Sequence, residues 1–219
     1  MIETRRPLAR TIVKVCGITR IEDARVARDA GADWIGFIVH GESPRRITPE
    51  QAAEIGAAVP ELTRVAVMVG VTPEEALAIA TRAGVQRVQI HRPPITWPAE
   101  FPLPAAIVVP VGSDRGIPSP LPDPRHLLML DSAHPHRAGG TGETFPWDAA
   151  IAVAGARAVL LAGGLGPDNV AEAIERVNPY GVDASSRLES QPGIKDAGRV
   201  RRFVSAVRDV EIRVRGRRP

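Results

Sequence analysis

Thr11-Ile12-Val13-Lys14-Val15-Cys16-Gly17-Ile18-Thr19 is the stretch that decides how the chain is read. A β-branched run leads into it and a helix-like segment follows from Ile21, so it reads as a strand ending in a tight turn. Side chains alternate along a strand, which puts Lys14 and Cys16 on one face at its carboxyl end. Cys16 is the single cysteine, and Lys14 and Lys195 are the only lysines among 28 basic residues. In a chain that otherwise carries its positive charge on arginine, an isolated lysine marks a place where a compact ammonium on a flexible stem is wanted. A cation on the thiol's own face favours the thiolate. The plainer alternative is a small buried thiol beside an ion-paired lysine.

Outward from this stretch the strand–turn–helix unit repeats. Residues 21–30 carry Ile21, Ala24 and Ala27 at helical spacing and stop at Gly31. Residues 34–39 form a near-continuous apolar run, the pattern of a strand covered on both faces. Thr48-Pro49-Glu50 and Thr72-Pro73-Glu74-Glu75 each open a helix with an N-cap, a first-turn proline and first-turn acid. Strands are expected at 65–69 and 87–91. Residues 92–125 break the rhythm, because their ten prolines exclude long helices and leave one short strand at 105–111. Alternation then resumes, with strands at 127–131, 158–162 and 181–184 and helices at 146–154, 167–177 and about 197–207. The reading is α/β: a single (β/α)8 barrel over residues 1–219 with shortened or irregular fourth and fifth helical layers. The alternative, two half-domains joined by the proline-rich segment, leaves neither half a closed core.

Composition removes several classes of function. One cysteine excludes an intramolecular disulfide, and no Cys/His cluster has zinc-site spacing, so neither metal nor cofactor is expected. The net charge is only +3 and aromatics are 4% of the chain, a poor match to a nucleic-acid surface of basic and stacking residues. The basic run from Arg213 to Arg218 reads as a terminal tail. The polar, basic residues 1–10 are no secretory signal and no apolar stretch is long enough to span a bilayer, so a cytoplasmic protein is expected. A mild positive balance suits an anionic small molecule.

In such barrels the active site lies at the carboxyl ends of the strands, with phosphate held by the loops after the last two. Chemistry-bearing residues fall at those ends. Cys16 closes the first strand, Arg45 lies in the loop after the second, and His91 closes the fourth. Asp131 closes the sixth, Gly163-Gly164 the seventh and Ser185-Ser186 the eighth. Gly163, Gly164, Ser185 and Ser186 offer backbone N–H groups and hydroxyls to a phosphate, although a glycine pair serves equally as a plain strand-to-helix turn. Asp131 follows four apolar residues, and burial there raises a carboxyl toward the range of a general acid; a helix cap or ion-pair partner is the competing role. Arg45 is suited to a bidentate grip on a carboxylate, or is a surface arginine beside Arg46. His91 fits a hydrogen-bonded strand-end residue better than a catalyst. His134 and His136, without acidic company, make a poor metal site.

With these residues in place the chain resembles the phosphoribosylanthranilate isomerase family of tryptophan biosynthesis over nearly its whole length. The resemblance rests on Lys14-Val15-Cys16-Gly17-Ile18-Thr19, Gly31-Ala32-Asp33, Ser43-Pro44-Arg45, Gln89-Ile90-His91 and Leu130-Asp131-Ser132. It continues through Gly139-Gly140-Thr141-Gly142 with Phe145 and Trp147, Leu161-Ala162-Gly163-Gly164-Leu165, Asn169-Val170, Asp183-Ala184-Ser185-Ser186 and Gly193-Ile194-Lys195-Asp196. It implies an Amadori rearrangement of N-(5'-phosphoribosyl)anthranilate to 1-(2-carboxyphenylamino)-1-deoxyribulose 5-phosphate, with no metal. In that scheme Asp131 is the general acid, Cys16 the general base, Arg45 holds the anthranilate carboxylate and the Gly163-Gly164 and Ser185-Ser186 loops hold the phosphate. Lys14 and His91 complete the expected substrate-binding set. The only partner expected is the phosphosugar substrate, with no nucleic acid and no membrane, the chain being a monomer or homodimer. Arg92, Gly70 and Arg187 stand where the family usually has glycine, asparagine and glycine. Those departures leave open a paralogue acting on a related phosphoribosylamine; a catalytically silent barrel serving as a partner subunit is a further reading, against which the retained acid and base argue.

Overall fold

The computed structural model describes residues 10–112, 116–132 and 147–216, without the side chains of 214–216. Eight parallel strands close into a barrel in sequence order: β1 (Ile12–Cys16), β2 (Trp34–Ile38), β3 (Thr63–Val69), β4 (Arg87–His91), β5 (Ala105–Val111), β6 (Leu127–Ser132), β7 (Val159–Leu161) and β8 (Gly181–Ala184). Closure comes from β1, which pairs with β2 through Lys14–Trp34 and with β8 through Lys14–Asp183. Among the described residues six helices surround the strands: α1 (Ile21–Ala30), α2 (Pro49–Ala57), α3 (Pro73–Arg82), α4 (Asp148–Ala156), α5 (Val170–Val177) and α6 (Ala197–Gly216). Among the described residues no helix lies between β4 and β5 or between β5 and β6, the proline-rich stretch having replaced both layers with irregular chain.

The alternation of each strand sorts its side chains between two cores. Val13, Val15, Ile35, Phe37, Ala66 and Met68 point outward and pack under the helices. Trp34, Val65, Ala106, Val108, Leu127, Met129, Ala158 and Leu160 point inward and fill the barrel axis. The inward set at the amino-terminal end is apolar or stacked, as where the Arg87 guanidinium lies 4.4 Å over the Trp34 ring. Continuing the same parity toward the carboxyl ends brings Lys14 and Cys16, Gln89 and His91, Asp131, and Asp183 into the interior. The barrel is therefore dry at one end and polar at the other.

The starts of α2 and α3 are those the sequence specifies, while α4 and α5 begin at Asp148 and Val170, two and three residues later than read. Thr48 and Thr72 each accept from the backbone N–H three residues on, while Gln51 and Glu75 reach back to the cap nitrogen. Thr72→Ala removes one of these reciprocal caps and is expected to lower stability by about 1 kcal/mol, read as a fall in denaturant midpoint at unchanged slope.

Two further elements differ from the sequence reading. The closing helix does not stop near Val207 but runs to Gly216, because Val210 stays buried and Arg213 pairs with Glu175 at 3.3 Å. The segment after β8 adds a 3-10 turn (Ser186–Leu188) and a short antiparallel pair, β9 (Glu189–Gln191) and β10 (Ile194–Lys195). The loop carrying His134, His136 and Gly139-Gly140-Thr141-Gly142 lies outside the described residues.

Candidate active site

Lys14 organises the polar end of the barrel. It is fully buried, and its ammonium donates to Gln89 Oε1 and to Asp183 Oδ1, each at 2.8 Å. An ammonium has only donors, so the Gln89 carbonyl must face it, and the Gln89 amide then points the other way. That amide lies 2.9 Å from His91 Nε2. An amide N–H donates only to an unprotonated ring nitrogen, so the proton of neutral His91 sits on Nδ1. Burial, aided by the charges of Lys14 and Arg92, pulls His91 down to about 4 and keeps it neutral. His91 is thus a neutral hydrogen-bonding group at the carboxyl end of β4.

Asp131 and Cys16 are two further ionisable groups that face inward. Burial, reinforced by the Asp183 charge, pushes the Asp131 carboxyl up to about 7 against a backbone hydrogen bond from Ser132 and the Lys14 charge. A carboxylic acid of that strength both holds and releases a proton near neutrality. The expectation for Cys16 is corrected. Lys14 does favour its thiolate, but burial outweighs the cation, Asp183 opposes it further, and the thiol lies above its ordinary value. A second ammonium, that of Lys195, also acts on the sulfur. Gly36 makes room for the pair, since a Cβ there would come within 2.9 Å of the Cys16 sulfur and 3.1 Å of the Lys14 nitrogen.

Arg45 makes the bidentate carboxylate contact expected of it, but to the chain's own Glu189. Its Nε donates to Oε1 at 2.8 Å and its Nη2 to Oε2 at 2.8 Å. Lys195 donates to the same Oε1 at 2.7 Å. Sequence reasoning missed Glu189 altogether. Lys195 carried the one available signal, as the second isolated lysine.

The expected phosphate loops stand side by side at the ends of β7 and β8. Gly163 and Gly164 have φ of +83° and +65°, and a Cβ on Gly163 would come within 2.4 Å of the Ser132 nitrogen, so only glycine lets this loop pack against β6. Asn169 braces the loop, its Oδ1 accepting from Gly166 N and its Nδ2 donating to the Gly164 carbonyl. Ser186 opens the 3-10 turn, and the Ser185 hydroxyl is buried with no hydrogen-bond partner among the described residues. Arg187 extends over Gly166 to within 3.7 Å of Asp168, where Pro167, Arg199 and Arg202 complete a cavity of about 320 Å³. Arg92 occupies the left-handed region at φ 48°, a position glycine adopts without strain. Among the described residues no group of three His, Cys, Asp or Glu side chains is placed to hold a metal ion.

The sequence profile of the N-(5'-phosphoribosyl)anthranilate isomerase family matches residues 13–206. The chain belongs to this family. Its N-(5'-phosphoribosyl)anthranilate isomerase relative from Geobacter sulfurreducens is 46% identical over 198 residues, covering 88% of this chain and 96% of the relative. The crystal structure of phosphoribosyl anthranilate isomerase from Thermotoga maritima superposes with a TM-score of 0.79 at 31% identity, covering 91% of this chain and all of that one. Another isomerase structure, in complex with reduced 1-(o-carboxyphenylamino)-1-deoxyribulose 5-phosphate, matches with a TM-score of 0.75 at 30% identity, again over 91% of this chain and all of that one. The barrel, with no helix flanking β5 among the described residues, thus matches solved isomerase structures over nearly the whole chain.

Proposed function

We propose that the protein isomerises N-(5'-phosphoribosyl)anthranilate to 1-(2-carboxyphenylamino)-1-deoxyribulose 5-phosphate, with Asp131 as general acid and Cys16 as general base. The observation that carries this is the Asp131 carboxyl, turned into the barrel and held at about 7, at the same end as the inward thiol of Cys16. Asp131 gives its proton to the furanose ring oxygen as the C1'–O bond breaks, and the nitrogen lone pair closes a C1'=N iminium. The Cys16 thiolate then removes the C2' proton; the C–H pair becomes the C1'=C2' bond and the iminium electrons return to nitrogen. The resulting enolamine tautomerises to the ketone. Both proton transfers are assigned to side chains, so the scheme calls for no metal.

Neutral His91 supplies a hydrogen bond without adding charge. The glycine loop at 163–166 and the Ser185 hydroxyl, which has no hydrogen-bond partner among the described residues, are the groups assigned to the phosphate. Arg45 meets the aryl carboxylate with Glu189 already on one edge of its guanidinium. The test is turnover of purified chain with N-(5'-phosphoribosyl)anthranilate and with phosphoribosylamines carrying other aryl groups, alongside rescue of a tryptophan auxotroph lacking this step. Product from the anthranilate substrate and rescue are expected; turnover confined to another aryl group would assign the same chemistry to a different amine.

A further inference from the structure

The sulfur of Cys16 is surrounded by charge from four elements. Lys14 faces it from β1, Asp183 from β8, Lys195 from β10 and Arg45 from the loop after β2. Lys14 is matched by Asp183 at 2.8 Å. Glu189 is a single carboxylate shared by two cations, Arg45 at 2.8 Å and Lys195 at 2.7 Å. One positive charge in this buried set is therefore left unmatched, and a thiolate on Cys16 would match it.

The Arg45 and Lys195 side chains converge on the residue that follows the cysteine. Gly17 follows the cysteine at φ +73°, and a Cβ there would stand 2.8 Å from Arg45 Cδ, 2.9 Å from the Ser185 hydroxyl and 3.6 Å from the Lys195 nitrogen. Lys195 is further tied to the Ser185 carbonyl at 3.3 Å, and its own backbone N–H donates to Asp23 at 3.0 Å. The β9–β10 pair thus has a specific task, since it carries Glu189 on one strand and Lys195 on the other.

We propose that Glu189 and Lys195 are positioning residues for the proton abstraction: Glu189 clamps Lys195 and Arg45 side by side against Gly17, and Lys195 supplies the charge that stabilises the Cys16 thiolate. This rests on Cys16 being the base. Lys195 acts through the sulfur and transfers no proton itself. Burial pulls the Lys195 ammonium down while Glu189 opposes the fall, and Glu189 is itself drawn down by its two cations in spite of burial.

The chain has one cysteine, so thiolate absorbance at 240 nm, referenced to Cys16→Ser, titrates that group alone in the intact protein. Lys195→Met is expected to move the thiol midpoint up by about one pH unit and to lower kcat about tenfold with KM little changed, and Lys195→Arg to restore most of both. Glu189→Gln frees both cations and is expected to move the midpoint the opposite way, downward. The double variant Glu189→Gln/Lys195→Met leaves Arg45 without its carboxylate and the net charge of the set as in wild type, so its midpoint is expected to fall between those of the two single variants. A midpoint unmoved in all of them, or moved the same way by Lys195→Met and Glu189→Gln, overturns the proposal and leaves a purely structural ion cluster. The titration needs no substrate, so it decides this point whatever the turnover assay says of the reaction.

Discussion

Asp131→Asn lowers kcat/KM by about 10³-fold and removes the break near pH 7 from the pH profile. That break follows from the two proton affinities. The proposed scheme needs Asp131 protonated and Cys16 ionised, yet Asp131 at about 7 is the stronger acid and the thiol, above its ordinary value, the weaker. Below about 7 both groups hold their protons, and the thiolate fraction grows as pH rises. Above about 7 the loss of protonated Asp131 offsets the gain in thiolate, so activity levels off until the thiol itself titrates. Wild type therefore rises toward a plateau beginning near pH 7, although the group titrating there is the acid. In Asp131→Asn the residual activity continues to rise with pH through that region. A wild-type profile that falls through pH 7 would place the thiolate below the carboxyl and reverse the order of the two groups.

The same substitution changes stability in the opposite sense. A carboxyl whose folded value is about 7 against an ordinary 3.8 binds its proton more tightly when folded, so its contribution is present at low pH and is lost as pH rises from about 4 to about 7. His91, at about 4 when folded against an ordinary 6.5, works the other way over most of that range and partly hides the effect in wild type. The difference between wild type and Asp131→Asn isolates the carboxyl. The variant is expected to gain on wild type by on the order of 3 kcal/mol between pH 4 and pH 8, in urea denaturation at each pH.

The barrel was legible because its strands are two-sided. Parallel strands covered by helices outside and packed side chains inside read as apolar runs, as residues 34–38 and 127–130 do, and the Thr-Pro-Glu starts of α2 and α3 mark the crossovers. The β9–β10 pair escaped because it is short and polar, with Pro192-Gly193 at its turn, and its register is held by partners elsewhere in the chain. At the site, period-two alternation was enough to put Lys14 and Cys16 on one face. It was not enough to give the sign of the thiol's shift, because spacing reports the nearby cation but not the loss of water around the sulfur. Glu189 was invisible for a different reason. Its role is defined by Arg45, 144 residues earlier, and nothing local distinguishes it from a solvated glutamate.

Lys14→Met is the substitution expected to cost most in stability. The ammonium is wholly enclosed and satisfies both the Asp183 carboxylate and the Gln89 carbonyl. Methionine fills much of the same volume, so the loss is electrical: a carboxylate and an amide oxygen stay behind in a site with no water to replace the donor. Removing one partner of a buried pair costs about 3–5 kcal/mol, a large share of the 5–15 kcal/mol that holds a domain together, and is expected to lower the melting temperature by roughly 10 °C. Lys14→Met/Asp183→Asn removes the stranded charge and is expected to recover most of that loss; with Asp183→Asn alone as the fourth corner, the cycle gives the coupling energy of the pair. Asp183→Asn alone has a second readout. The Asp183 charge helps to hold Asp131 up and opposes ionisation of Cys16, so its removal moves both groups toward their charged forms and shifts the onset of the activity plateau below pH 7. A buried pair that only braced the strands would change the melting temperature and leave that onset where it was.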